Sequence, residues 1–143
     1  MDITAAMARM KKIAAELDLP WGERKRTFNS RLAQELGKWA ESKGRGDLYH
    51  DAVFRAYFAE GKNIAKTDVL TGLARAVGLP ADEAGEVMRT RTFKASVDSD
   101  WALVDAMEIT SVPTFALHGR KLVGAEPYAV LEEFLLGNGV KKR

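Results

Sequence analysis

The sequence predicts an α+β fold that is mostly helical, and three observations predict it. Apolar residues recur at helical spacing from Ile3 to Met107, a short β-prone run with a turn and a return follows, and one more amphipathic stretch closes the order. The 143 residues suit one ordinary domain, with 46% apolar and 29% charged residues, the balance of a soluble globular chain.

The first helix carries Ile3, Met7, Met10, Ala14 and Leu17 on one stripe, and Leu19-Pro20 ends it. Trp21 to Thr27 is polar and basic around Gly22, hence a connection. Asn29 or Ser30 then caps a second helix through a side-chain oxygen, with Leu32, Leu36 and Trp39 turned inward. Gly44-Arg45-Gly46 breaks that helix, since glycine is costly inside helices and cheap in turns, and Asp47 is expected to cap the next. From Leu48 to Phe58 the density of Leu48, Val53, Phe54, Tyr57 and Phe58 predicts a core helix buried on more than one side. Gly61 ends it.

Thr67 or Asp68 begins a helix with Val69, Leu70, Leu73 and Val77, which Gly78 and Pro80 stop, and a short helix starts at Asp82. Phe93, Val97, Trp101, Val104 and Met107 then mark a longer helix over 92–107. The texture changes at Ile109. Val112 to Leu117 is β-prone, His118-Gly119-Arg120 turns the chain, and Lys121-Leu122-Val123 returns as the second strand of a hairpin. Pro127 opens the last helix with Tyr128, Val130, Leu131, Phe134 and Leu135. The organisation is therefore a helical region over 1–108 and a ββα part over 109–143.

Several function classes are weakened by composition. A net charge of +2 gives no strong field for nucleic acid or anionic membrane, so neither is expected as a partner. No apolar run is long enough to span a bilayer, and the charged N-terminus is unlike a signal peptide, so a cytoplasmic protein is expected. The absence of cysteine removes disulfides, thiolate nucleophiles and thiolate metal sites together. His50 and His118, the two histidines, are too few for a zinc site, so no metal is assigned. Arg24-Lys25-Arg26 and Lys141-Lys142-Arg143 read as solvated loop and tail.

Thr110-Ser111-Val112-Pro113-Thr114-Phe115, followed by a hairpin, a glycine and an amphipathic helix, resembles the C-terminal half of a thioredoxin fold. Phe28 to Ala33, Glu35 to Ala40, His50 to Phe58 and Val123 to Tyr128 resemble FrnE-like members of the DsbA-like family, nearly end to end and in order. The resemblance implies the inserted helical domain of a DsbA-like thioredoxin fold, then its hairpin and last helix, with the strand and CxxC-bearing helix not represented. It implies a thiol-disulfide oxidoreductase relative that is not independently redox-active. A glutathione-dependent isomerase or transferase relative and a non-catalytic peptide- or partner-binding module are the alternatives.

The same resemblance implies a cis peptide at Val112-Pro113 and places Val112 and Pro113 where a peptide or thiol substrate is held. It also implies contacts from Asn29 and Glu126 to a thiol ligand, against the plainer roles of a helix cap and a first-turn carboxylate. No catalytic residue is assigned. No cofactor is required by the residues themselves, and glutathione is the one the resemblance admits. Because a two-stranded hairpin is marginal alone, a homodimer or domain-swapped oligomer is expected.

Overall fold

The computed structural model describes residues 3–23 and 26–142, without the side chain of Ile3. The element order is α1 (Ile3–Glu16), α2 (Arg31–Ser42), α3 (Gly46–Phe54), a π-helical turn (Arg55–Ala59), α4 (Thr67–Ala76), α5 (Ala81–Thr90), α6 (Lys94–Ala106), β1 (Thr114–Leu117), β2 (Arg120–Val123) and α7 (Tyr128–Gly137). The chain divides into two compact units, 1–98 and 99–143, so the division falls inside α6 while the change of sequence texture comes at Ile109.

The first unit is built on α2. Its apolar positions follow the helical period, so one face presents Ala33, Leu36 and Ala40, all buried, with Trp39 beside them. That face packs on α3, α4 and α5, which contribute Tyr49, Leu70, Ala74, Ala84, Val87 and Met88. Fully burying one side chain such as Leu36 contributes about 1.5–3 kcal/mol relative to exposure, so this cluster is the main support of the unit. The indole N–H of Trp39 donates to Glu83 Oε1 at 3.1 Å, which satisfies the one polar atom this large ring carries inward. The Tyr49 hydroxyl is buried without a hydrogen-bond partner among the described residues, and desolvation pushes its pKa well above the usual phenol value.

Several expectations need correction here. Within 48–58, Leu48 and Phe54 are exposed, and the buried members are Tyr49 and Ala56. The segment packs on one side, so its apolar density overstates its burial. Its final turn is π-helical, where Glu60 N–H reaches Arg55 O at 3.1 Å across one residue more than an α-helical bond spans. Asp47 lies in the first turn of α3 and Arg45 holds the cap position, without a side-chain cap bond. Along α1, Ala14 is buried while Met10 and Leu17 are exposed, so that stripe is largely open. In α6, Val97 is buried and Trp101 and Val104 are exposed, as is Met107 just beyond its end.

In the second unit β1 and β2 form a two-stranded antiparallel sheet with Thr114 opposite Val123 and Leu117 opposite Arg120. The two-residue turn has φ of 49° at His118 and 75° at Gly119, the left-handed pair that matches strand twist, so Arg120 belongs to the strand. Lys121 Nζ donates to the carbonyls of Met107 and Glu108, capping the C-terminus of α6 with positive charge. His118 hydrogen-bonds Asn138 O at 3.2 Å, which ties the turn to the end of α7. No described residue of this unit is buried.

Candidate functional site

The candidate residues fall in both units. Val112 and Pro113 precede β1, and their peptide bond is cis. The loop is held from both sides: Thr114 Oγ1 donates to Ser111 O at 2.7 Å, and Gly124 N–H donates to Pro113 O at 2.8 Å. These two bonds fix the loop without using the Val112 side chain, which is 89% exposed. Gly124 has φ of 107°, a conformation that disfavours any side chain, and a Cβ there would lie 3.5 Å from Glu126 Oε1. Glu126 therefore stands beside the glycine that binds Pro113, and these three belong to one neighbourhood.

Asn29 belongs to the first unit, and its Oδ1 accepts the N–H of Arg31 at 2.8 Å. This bond is an Asx turn one residue before the cap position, which Ser30 holds without a side-chain cap bond, and it satisfies the N–H of the first residue of α2. Ser30 accepts from the Gln34 side chain at 2.9 Å instead of bonding the backbone. Of the two candidates, Asn29 is the one whose side-chain oxygen bonds the backbone.

The strongest electrostatic feature was not visible as a motif. Glu35 is 1% exposed and accepts from Arg91 Nε at 2.7 Å, from Arg91 Nη2 at 2.6 Å and from Arg31 Nε at 2.8 Å. Arg31 also reaches Asp98, which Lys94 Nζ meets at 2.6 Å. The Arg91 guanidinium, aided by Arg31, holds the Glu35 carboxyl below its usual range against the opposing effect of burial. Lys94, then Arg31, lowers Asp98 in the same way. Arg91 has φ of 55° at the end of α5, where glycine is the usual residue, and its two bonds to Glu35 hold it there. Periodicity marked position 35 as part of α2, and Arg31 stands one helical turn before it, but Arg91 lies 56 residues onward, so no local spacing announces the bidentate partner.

The network is a structural tie among α2, the end of α5 and the start of α6, rather than an open reaction site. His50 hydrogen-bonds Glu41 at 3.1 Å and packs against Gly37, where a Cβ would lie 2.9 Å from its ring. Among the described residues no group of three or more histidine, aspartate or glutamate side chains is placed to hold a metal ion, and no helix is long and apolar enough to cross a membrane. Of the basic clusters, Lys142 pairs with Glu132 at 2.8 Å, while Arg24, Lys25 and Arg143 lie outside the described residues.

Comparison with known proteins agrees with this architecture. A family model described as the DSBA-like thioredoxin domain matches residues 2–136. The "Uncharacterized protein YwbO" of Bacillus subtilis (strain 168) is 36% identical over 114 residues, which covers 78% of this chain and 56% of that protein. The chain thus spans about half the length of the curated relative it matches. With the helical region, the hairpin and all but the last residue of the final helix inside the matched span, the chain belongs to the DSBA-like thioredoxin domain family.

Proposed function

We propose that this chain supplies the substrate-positioning part of a thiol-disulfide oxidoreductase-like protein of the FrnE-like branch, and that it holds an extended peptide or thiol substrate at the Val112-Pro113 loop. The observation that carries this reading is the exposed apolar Val112 on the cis peptide just before β1, in a chain of the DSBA-like family. An extended peptide laid beside that loop meets this apolar side chain, the kind of contact that gives extended-peptide recognition its specificity. The chain has no cysteine, and exchange starts with thiolate attack and passes through a mixed disulfide. Sulfur chemistry on the bound substrate must then come from a thiol that these 143 residues do not hold. A cytoplasmic location goes with this reading, because thiols stay reduced there.

The glutathione-dependent alternative would draw on Asn29 and Glu126, and the Asn29 oxygen is already committed to its helix. A peptide is therefore the favoured ligand. The test is a titration of isotope-labelled chain with an extended, cysteine-free apolar peptide, followed by amide shifts. Saturable shifts over 111–116 that vanish in Val112→Asp are expected. Shifts confined to the helices, or unaffected by Val112→Asp, would contradict the reading. The same chain is expected to leave insulin reduction by dithiothreitol at its uncatalysed rate.

A further inference from the structure

Two glycines of the first unit have no account inside the molecule. A glycine within a helix is destabilising relative to alanine, so each one calls for a reason. Close packing explains Gly37, where a Cβ would lie 2.9 Å from the His50 ring, and a left-handed backbone explains Gly78, at φ of 79°. Gly72 and Gly85 stand inside α4 and α5 with neither reason, because their φ is not positive and a Cβ at either would meet nothing within 4 Å. Both line one groove of about 600 Å³ between these helices, together with the buried Met88. A side chain at either position would stand in that groove.

The polar groups of the groove run along α4. Asp68 lies in its first turn and Arg75 in its last, so two helical turns bring them to one face about 10 Å apart along the axis. The helix dipole accounts for the sign of each charge. It does not account for their lack of partners. Among the described residues the side chains of Asp68, Thr71 and Arg75 make no hydrogen bond or ion pair, whereas Arg89 on the α5 wall is held by Glu86 at 2.6 and 2.9 Å. We propose that this groove binds a short peptide with both termini free, its ammonium on Asp68 and its carboxylate on Arg75. Three extended residues span about 10–11 Å, which matches the separation of the two charges. The Arg75 guanidinium can take a carboxylate through two parallel N–H groups, and the Thr71 hydroxyl between the charges is free to bond a peptide group. The ligand backbone crosses at Gly72 and Gly85, where the missing side chains permit close approach. The volume falls within the range of about 300–1,000 Å³ that small-ligand sites occupy. The site does not rest on the reading of the Val112-Pro113 loop.

Titration of the isotope-labelled chain with trialanine, followed by amide shifts, tests this. Saturable shifts over 67–75 and 85–89 are expected. Blocking the peptide by acetylation and amidation should weaken them about tenfold or more, since a charge-assisted hydrogen bond is worth at least that factor. Asp68→Asn and Arg75→Gln should each weaken binding by about tenfold for the same reason. Gly72→Leu should abolish binding while the melting temperature stays at or above that of the parent, because leucine favours the helix and fills the groove. No saturable shift in α4 or α5 with the free peptide, equal shifts with the blocked one, or unchanged binding in Asp68→Asn and Arg75→Gln would overturn the proposal. A folded Gly72→Leu chain that binds as the parent does would overturn it too.

Discussion

The two units make opposite use of apolar residues. In 1–98 the helices α2 to α5 close on one another, and Leu36, Trp39, Tyr49 and Leu70 are fully or almost fully buried. In 99–143 the apolar content is just as evident, yet Trp101, Leu103, Val123 and Tyr128 remain exposed and no described residue is buried. The difference follows from geometry. Several helices can enclose a core among themselves, whereas one two-stranded sheet with a helix has too few surfaces to exclude water from any side chain. Apolar composition alone does not make a core.

The largest effect expected from this contrast is a mismatch between equivalent truncations. Leu36→Ala should cost about 2–5 kcal/mol, because a fully buried leucine leaves a cavity in a core that relaxes little. Leu122→Ala, at a half-buried position of β2, should cost less than about 1 kcal/mol, since less surface leaves water on folding. Urea unfolding of both variants makes the comparison, and equal costs would erase the distinction between the units.

The next effect concerns the tie around Glu35, the one buried charge among the described residues. Glu35→Gln keeps the shape and removes the charge that three guanidinium bonds address, and should cost about 1–3 kcal/mol at neutral pH. The Glu35 pKa is lowered in the folded state, so its contribution is fully present above the ordinary glutamate pKa and is lost as pH falls through the lower folded value. The gap between Glu35→Gln and the parent should accordingly narrow on acidification. A gap that widened toward acid would have the wrong sign.

The smallest effect sharpens the picture of the first unit as a set of helices with room outside the core. Gly72 and Gly85 sit inside α4 and α5, and a Cβ at either would meet nothing within 4 Å. Each change to alanine should stabilise by about 0.5–1 kcal/mol through the lost backbone freedom of the unfolded chain. Thermal melting is sensitive enough to read it, and a loss of stability at either position would mean that the space beside that glycine is less open than it stands.

What the sequence made legible was mostly local. Helical spacing, Asn29 before α2, the left-handed Gly61 and Gly78, and the His118-Gly119 turn all follow from residues close to one another, and each is found where those residues put it. What it hid was contact. Periodicity shows that Leu48, Phe54 and Trp101 lie on apolar stripes, but not that those stripes stay exposed, and it shows Glu35 inside a helix without its distant partner Arg91. The π-helical turn at Arg55–Ala59 has no signature at this length, since one extra residue in a helix leaves the pattern nearly unchanged. At the candidate site, Val112 and Pro113 drew attention through resemblance alone, and the exposure of Val112 came only with the fold.

Native-state hydrogen exchange at low protein concentration tests the central claim, that the first unit carries its own core and the second does not. Amides of α2 and α4 should exchange only through global unfolding, and those of Phe115, Leu117 and Leu122 through local opening at a much smaller free energy. Equal protection of the hairpin and α2 in the dilute, single chain would contradict the account.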